Sequence, residues 1–255
     1  MNNTNNFLIE GMNGNQIRKK VNDKTVAIVI LGSCENHGDH LPLGSDFIFP
    51  LELAKRVANK IENLIILPPI PYGVSSHHKK FFLTITIDTN TLINLIQNLL
   101  ESLYNNGIYH ILIINGHDGN IGPIEIASRK VKDIYPKIKI ACLESWWELI
   151  GKISPNTFKV WYGLGHGGEA ETSAIMKVRP ELVDVNNIPE DTIPNLPKHL
   201  RIFWTIDELT RTGATGSSKS ASADKGEVIC KILEDILISF LTDMEKTQWK
   251  YGLSI

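Results

Sequence analysis

Three short apolar runs, Val26 to Leu31, Leu64 to Ile70 and Ile108 to Ile114, each give way to a stretch of helical periodicity. Continuous apolar runs of this length suit strands buried on both faces, and strands alternating with amphipathic helices build a parallel sheet. A fourth run, Ile138 to Leu143, extends the pattern. Between the runs, Phe47 to Ile61 reads as a helix with Leu51, Ala54, Val57, Ala58 and Ile61 on one face. Thr89 to Tyr104 reads as another, striped by Leu92, Leu95, Ile96, Leu99, Leu100 and Leu103. Further helices are expected after Gly122-Pro123, over Ala174 to Val178 and over about Lys225 to Lys246, with a short one near Gln16 to Val21. Phe81 to Ile87 reads as β-like. With 255 residues, 42% of them apolar, the chain can bury one sizeable core. The expectation is a single α/β domain over 1–255, with 1–20 and 247–255 peripheral.

Composition removes several function classes. The formal net charge is -2 and no basic patch stands out, so nucleic acid is not expected as a partner. Cys34, Cys142 and Cys230 form no CxxC pair, which suits a reducing cytoplasm. Met1 to Asn6 is polar and lacks the regions of a signal peptide. No apolar run approaches the roughly 20 residues of a membrane span. Gly213 to Ser220 looks like a phosphate loop, but Ser218 precedes Lys219 where that loop needs glycine, so nucleotide binding is rejected.

The chemistry gathers where the runs end, and ligands in open α/β sheets bind at the carboxyl ends of strands. After Leu31 come Glu35, His37, His40 and Asp46. In extended chain Glu35 and His37 point the same way. The glycines 38 and 44 let the loop bring Asp46 back. Such an oxygen and nitrogen donor set suits divalent zinc, manganese or iron. A second carboxylate can bridge two metals about 3.5–4 Å apart. Asp46 also stands at the N-cap of the next helix, where capping competes for its oxygens. His77 and His78, in the loop 72–80, are candidates for substrate contact. His117 follows Ile114 in a glycine-rich turn, whereas His110 inside the run reads as a packing residue. Trp146 and Trp147, past the fourth strand, either wall a pocket or pack in the core. His166, Glu169 and Glu171 lead into a helix whose dipole alone favours the two acids. Residues 180–215, rich in proline, suit a lid or a subunit contact.

Three motifs, Glu35-x-His37-Gly-x-His40-Leu-Pro-x-Gly-x-Asp46, Asn115-Gly-His117-x-Gly-Asn120 and His166-x-Gly-x-x-Glu171-Thr-Ser, resemble those of the creatininase family. The Trp147 segment and the stretch Gly213 to Glu227 are similar too, so the likeness runs from about residue 20 to 240. The resemblance implies a three-layer α/β/α domain with a mostly parallel sheet, a two-metal site and often a hexamer. It implies that Glu35, Asp46 and His117 hold one metal, that His37 and Asp46 hold the other, and that His166 faces the substrate. Creatininase itself has a glutamate where this chain has Gly119. The second metal therefore needs another ligand, Glu171 first, then Glu169 or Asn120. Tyr162 stands where a tryptophan is expected, which speaks against creatinine as substrate. The family also contains formamide deformylases of flavin and F420 synthesis, a peptidase of the mycofactocin precursor and a sugar-lactone-type hydrolase.

The expected activity is metal-assisted hydrolysis of a non-peptide amide or cyclic amide bond in a small molecule. His166 gives a proton to the leaving nitrogen, or Glu171 does so when it is not a ligand. His78, Trp146, Trp147 and Tyr162 bound the substrate. A thiol mechanism through Cys34 lacks a dedicated base. The reading from another class is a metal-stabilised scaffold without turnover.

Overall fold

The computed structural model describes residues 7–197, 199–200 and 202–250. Four strands, β1 (Val26–Leu31), β2 (Leu64–Ile66), β3 (His110–Asn115) and β4 (Lys139–Leu143), form one parallel sheet in the order β2-β1-β3-β4. The principal helices are α1 (Gly14–Lys20), α2 (Ser45–Ala58), α3 (Thr89–Asn105), α4 (Ile121–Ile134), α5 (Trp146–Ile153), α6 (Glu169–Val178) and α7 (Ala223–Lys246). Strand side chains alternate between two cores. Ile28, Ile30, Leu112 and Ile114 pack with α2, α6 and α7, while Ala27, Val29, Ile111 and Ile113 pack under α3 and α4. Helices therefore cover both faces, which is the α/β/α layering, and explains why β1 has no polar residue.

Register positions the chemistry. Val26 lies opposite both Leu64 and His110, and Leu31 lies opposite Asn115. The two central strands β1 and β3 stop side by side, so the loops that follow them leave the sheet at one place.

Local chemistry sets where elements begin and end. Asp88 caps α3 by accepting from the backbone N–H groups of Asn90 and Thr91, at 3.0 and 3.1 Å. Ser222 caps α7 through Lys225 N–H. The expected strand Leu64 to Ile70 pairs regularly only to Ile66, because Pro68 and Pro69 have no N–H for a ladder. Its end still returns to β1, where Ile70 N–H donates to Ile30 O and Gly32 N–H donates to Ile70 O. Phe81 to Ile87 forms no strand. It makes isolated bridges at Ile85 and Thr86, and Leu83 sits at φ 57°, a left-handed conformation that breaks extended chain.

Helix α2 starts at Ser45, two residues before Phe47, and Gly44 occupies its N-cap without a side-chain bond. The expected capping role of Asp46 is thus corrected: it lies inside the first turn with its carboxylate turned elsewhere. Helix α6 begins at Glu169, well ahead of Ala174. The peripheral assignment of 247–255 fails at Trp249, which is buried and stacked on His110 with ring centroids 4.8 Å apart. Residues 1–6 and 251–255 lie outside the described residues. Among the described residues no helix is long and apolar enough to cross a membrane.

Candidate metal centre

Two glycines let the start of α2 press against the ends of β1 and β3. A Cβ at Gly116 would sit 1.8 Å from the Asp46 carbonyl oxygen, and one at Gly32 would sit 2.8 Å from it. Pro50, one turn further on, has no N–H to offer that carbonyl. Asp46 is thereby delivered to the gap between the strand ends. Asn120 and Asn115 join the surrounding loops. Asn120 donates to Gly32 O and accepts from Val74 N–H, at 3.0 and 3.1 Å. Asn115 donates to His117 O and Glu144 O.

Glu35, His37, Asp46 and His117 are all buried in this gap. Their ligand atoms form two close groups: Glu35, Asp46 and His117, and His37, Asp46 and Glu171. Within each, the atoms lie within 4.8 Å of one another, and Asp46 belongs to both. A third group joins Glu35, His37 and His166.

Backbone carbonyls orient the imidazoles. His37 Nδ1–H donates to Glu35 O at 3.1 Å, which aims Nε2 at Asp46 Oδ1, 2.9 Å away. His117 Nε2–H donates to Val74 O at 3.0 Å, with Ser75 Oγ 3.3 Å off, and aims Nδ1 at Glu35 Oε1 and Asp46 Oδ2, at 3.1 and 3.2 Å. Such bonds fix tautomer and ring direction in metal-ligating histidines. Replacing Ser75 with alanine should weaken zinc or manganese binding about tenfold, by the same principle. An unchanged isotherm in calorimetric titration would show that Val74 O alone orients His117.

Charge in the cluster is set by burial and close partners. Burial alone would push the Glu35 carboxyl up, but His117, His78 and His166 hold it well below the usual carboxylate range. Burial would likewise lower His37, yet Asp46 raises it to about 10. His117 is held well above its ordinary value by Glu35 and Asp46 against the cost of burial. Glu171 is pushed up to about 7 by burial, with His37 opposing the shift and Asp46 adding to it. The carboxylates thus raise both imidazoles that face them. Glu35 Oε2 has no hydrogen-bond partner among the described residues, and Glu35 Oε1 and Asp46 Oδ2 are faced by imidazole nitrogens alone. Two buried carboxylates converging on one point with an oxygen left bare are costly, and the donor set is that of a divalent cation. The residues fit such ions.

His166, half-buried, lies beside the cluster with its ring 4.2 Å from that of His37. Its N–H and C=O are both held by Thr215, through Oγ1 at 2.9 Å and the backbone N–H at 2.7 Å. His78 is buried, with Nε2 3.5 Å from Glu35 Oε1, and burial followed by His166 lowers its pKa. Trp146 is buried against Phe49, lines a small cavity with Asp46 and Glu171, and leaves its Nε1–H without a partner among the described residues. Trp147 packs edge-on against Trp146. Tyr162 is 62% exposed, in a left-handed turn with Trp161 and Gly163.

Two fallback ligands are excluded by their other bonds. Glu169 is fully buried, accepts from Lys159 and Val160 N–H, and pairs with Lys225. The Asn120 amide is spent between loops. Cys34 has its thiol pushed up by burial and then by Glu35, which disfavours a thiolate nucleophile.

His40 supports the site from below. Its Nε2–H donates to Thr172 Oγ1 at 2.8 Å, Thr172 donates to Gly167 O at 3.0 Å, and Gly167 N–H donates to Glu171 at 2.6 Å. Burial, and after it the charge of His37, pull His40 from 6.5 down to about 4. Between those values the unfolded chain binds a proton that the native one refuses. Stability from this group is therefore complete above pH 6.5 and falls as pH drops, by about 2 kcal/mol between pH 7 and pH 5. Urea unfolding should show that loss in the parent chain and a smaller one in His40→Gln; equal losses would contradict the assignment.

Sequence reading missed Ser75, Thr215 and the clamp at Glu169. Each acts across 42, 49 or 56 residues of chain. A single buried hydroxyl leaves no periodic signal.

A parallel α/β sheet with this carboxylate and imidazole cluster at its carboxyl ends defines an α/β protein with a buried candidate divalent-cation centre. Comparison with known proteins then gives the family. The family model described as creatininase, creatinine amidohydrolase, matches residues 10–241. Creatinine amidohydrolase of Pseudomonas putida is 29% identical over 81% of this chain and 85% of its own length. Mycofactocin precursor peptide peptidase of Mycobacterium ulcerans is 25% identical over 83% and 82%. The fold matches a manganese form of creatininase with a TM-score of 0.80 at 23% identity, over 92% of this chain and 97% of that one. The chain belongs to the creatininase family of hydrolases.

Proposed function

We propose that this chain uses two divalent cations, zinc, manganese or iron, to hydrolyse an amide or cyclic amide bond in a small molecule. The observation that carries this reading is the pair of ligand groups sharing Asp46. Glu35, Asp46 and His117 would hold one cation, and His37, Asp46 and Glu171 the other. Such ions supply an acidified water and an electrophilic contact for the scissile carbonyl.

The chain's own residues handle the proton. His166 Nε2–H donates to Asn36 O at 2.6 Å, so Nδ1 carries the lone pair. Burial, and then His37, bring its pKa down to about 4, so the ring is neutral near pH 7. It therefore acts first as an acceptor, taking the proton of the attacking water at Nδ1, and then returns it to the leaving nitrogen. The general-acid role expected for His166 is the second half of this cycle. Glu171 serves as ligand rather than as acid. His78 and Trp146 bound the reacting group, with Trp147 and Tyr162 further out. We assign the exposed Phe82, Leu200 and Phe203 to contacts between copies in a hexamer. The reading places a single-domain enzyme in the cytoplasm, with neither nucleic acid nor membrane as partner.

The test is an assay of ammonia, formate or ring opening on a panel of cyclic amides and formamides. Turnover should vanish after dialysis against a chelator and return with zinc, manganese or iron. Undiminished turnover in metal-free protein would overturn the reading.

A further inference from the structure

His166 is built into the fold in the same way as the two histidines assigned to the cations. Each of the three rings ties one N–H to a backbone carbonyl: His37 to Glu35 O, His117 to Val74 O and His166 to Asn36 O. Each then turns its other nitrogen into the carboxylate cluster. For His166 that atom is Nδ1, 3.8 Å from Glu35 Oε1. His78 lacks this arrangement, since its Nδ1 has no partner among the described residues. A ring held by one nitrogen with the other presented to buried carboxylates is the usual setting of a metal-ligating imidazole.

Glu35 has capacity for a second ion. Both its oxygens are buried; Oε2 has no hydrogen-bond partner among the described residues, and Oε1 is faced by the imidazoles of His117, His78 and His166. One cation in the Glu35–Asp46–His117 group needs only one of them. His37 Nδ1–H is tied to Glu35 O, so Nε2, which meets Asp46 Oδ1 at 2.9 Å, is the nitrogen left to ligate, and His37 belongs both to the group with Glu171 and to the group with His166.

We propose that the second cation has two alternative positions that share His37. In one it is held by His37, Asp46 and Glu171, and Asp46 bridges. In the other it is held by Glu35, His37 and His166, and Glu35 bridges. The two cannot be filled together, because both require His37 Nε2. In the second position the His166 lone pair is committed to the ion and is lost to proton transfer. That form of the enzyme is loaded but silent. The proposal rests on the two-cation reading above and concerns where the second ion resides.

Equilibrium dialysis against zinc, followed by elemental analysis, separates the two ideas. The parent chain should bind two ions. Glu171→Gln, which keeps an oxygen for Gly167 N–H, should still bind two, the second about 10–100-fold more weakly, the scale of a disturbed ligand environment. His166→Ala should bind two, and the double variant should bind one. X-ray absorption on zinc-loaded Glu171→Gln should show more imidazole per zinc than on the parent chain. One ion on Glu171→Gln with two on the parent would overturn the alternative position and leave the two-cation reading intact. Two ions on the double variant would overturn it as well, by showing that another residue takes the place of His166. At most one ion on the parent chain would overturn the two-cation reading and this proposal with it.

Discussion

Replacing His117 with alanine should remove cation binding at the Glu35–Asp46–His117 group and turnover with it. The imidazole is 3.1 Å from Glu35 and 3.2 Å from Asp46, and all three residues are buried. Loss of a ligand and of an electrostatic stabiliser at one point should reduce turnover by at least about 10³-fold. The same change destabilises the metal-free protein. Glu35 would keep its charge in a dry site with its main partner gone, and breaking a buried pair in this way costs about 3–5 kcal/mol. Elemental analysis and chemical unfolding of the variant check both parts. A variant that loads metal and turns over like the parent would remove His117 from the site.

Gly119→Glu should lower cation affinity, although it introduces the residue type that the family resemblance implies at this place. A Cβ at Gly119 would lie 2.0 Å from Val74 O and 2.7 Å from His117 Nε2. Neither is the free end of a flexible chain. Val74 O is the acceptor that orients His117, so a side chain here pushes away the group that aims the ligand. Overpacking of this kind costs about 1–3 kcal/mol. The variant should melt lower and bind zinc at least about tenfold more weakly, the scale set by disturbed supporting bonds. Tighter binding would show that the loop yields and that a glutamate at 119 can serve as a ligand. In the parent chain Glu171 reaches the same cluster from α6, with Gly167 N–H holding one oxygen 2.6 Å away.

Much of this was legible because strands buried on both faces need unbroken apolar runs. Val26 to Leu31 coincides with β1, and the stripe from Leu92 to Leu103 lies in α3. What failed did so for local reasons. Proline truncated the ladder after Ile66, and the left-handed Leu83 broke the segment 81–87. Asp46 was placed correctly in sequence but given a capping role that its position one residue inside α2 does not allow. At the site, residue types and their order along the chain named Glu35, His37, Asp46 and His117. The tautomers were out of reach, because each depends on a carbonyl delivered by folding. His166 shows the consequence: a sequence reading makes it a donor, while Asn36 O makes Nδ1 an acceptor in the resting protein.

The central claim is that Asp46 stands between two cations. Anomalous diffraction from crystals loaded with two equivalents of manganese tests it most directly. The account predicts two peaks, both within ligating reach of the Asp46 carboxylate, one also beside His117 and the other beside His37. A single peak, or peaks that leave Asp46 without a contact, would contradict it.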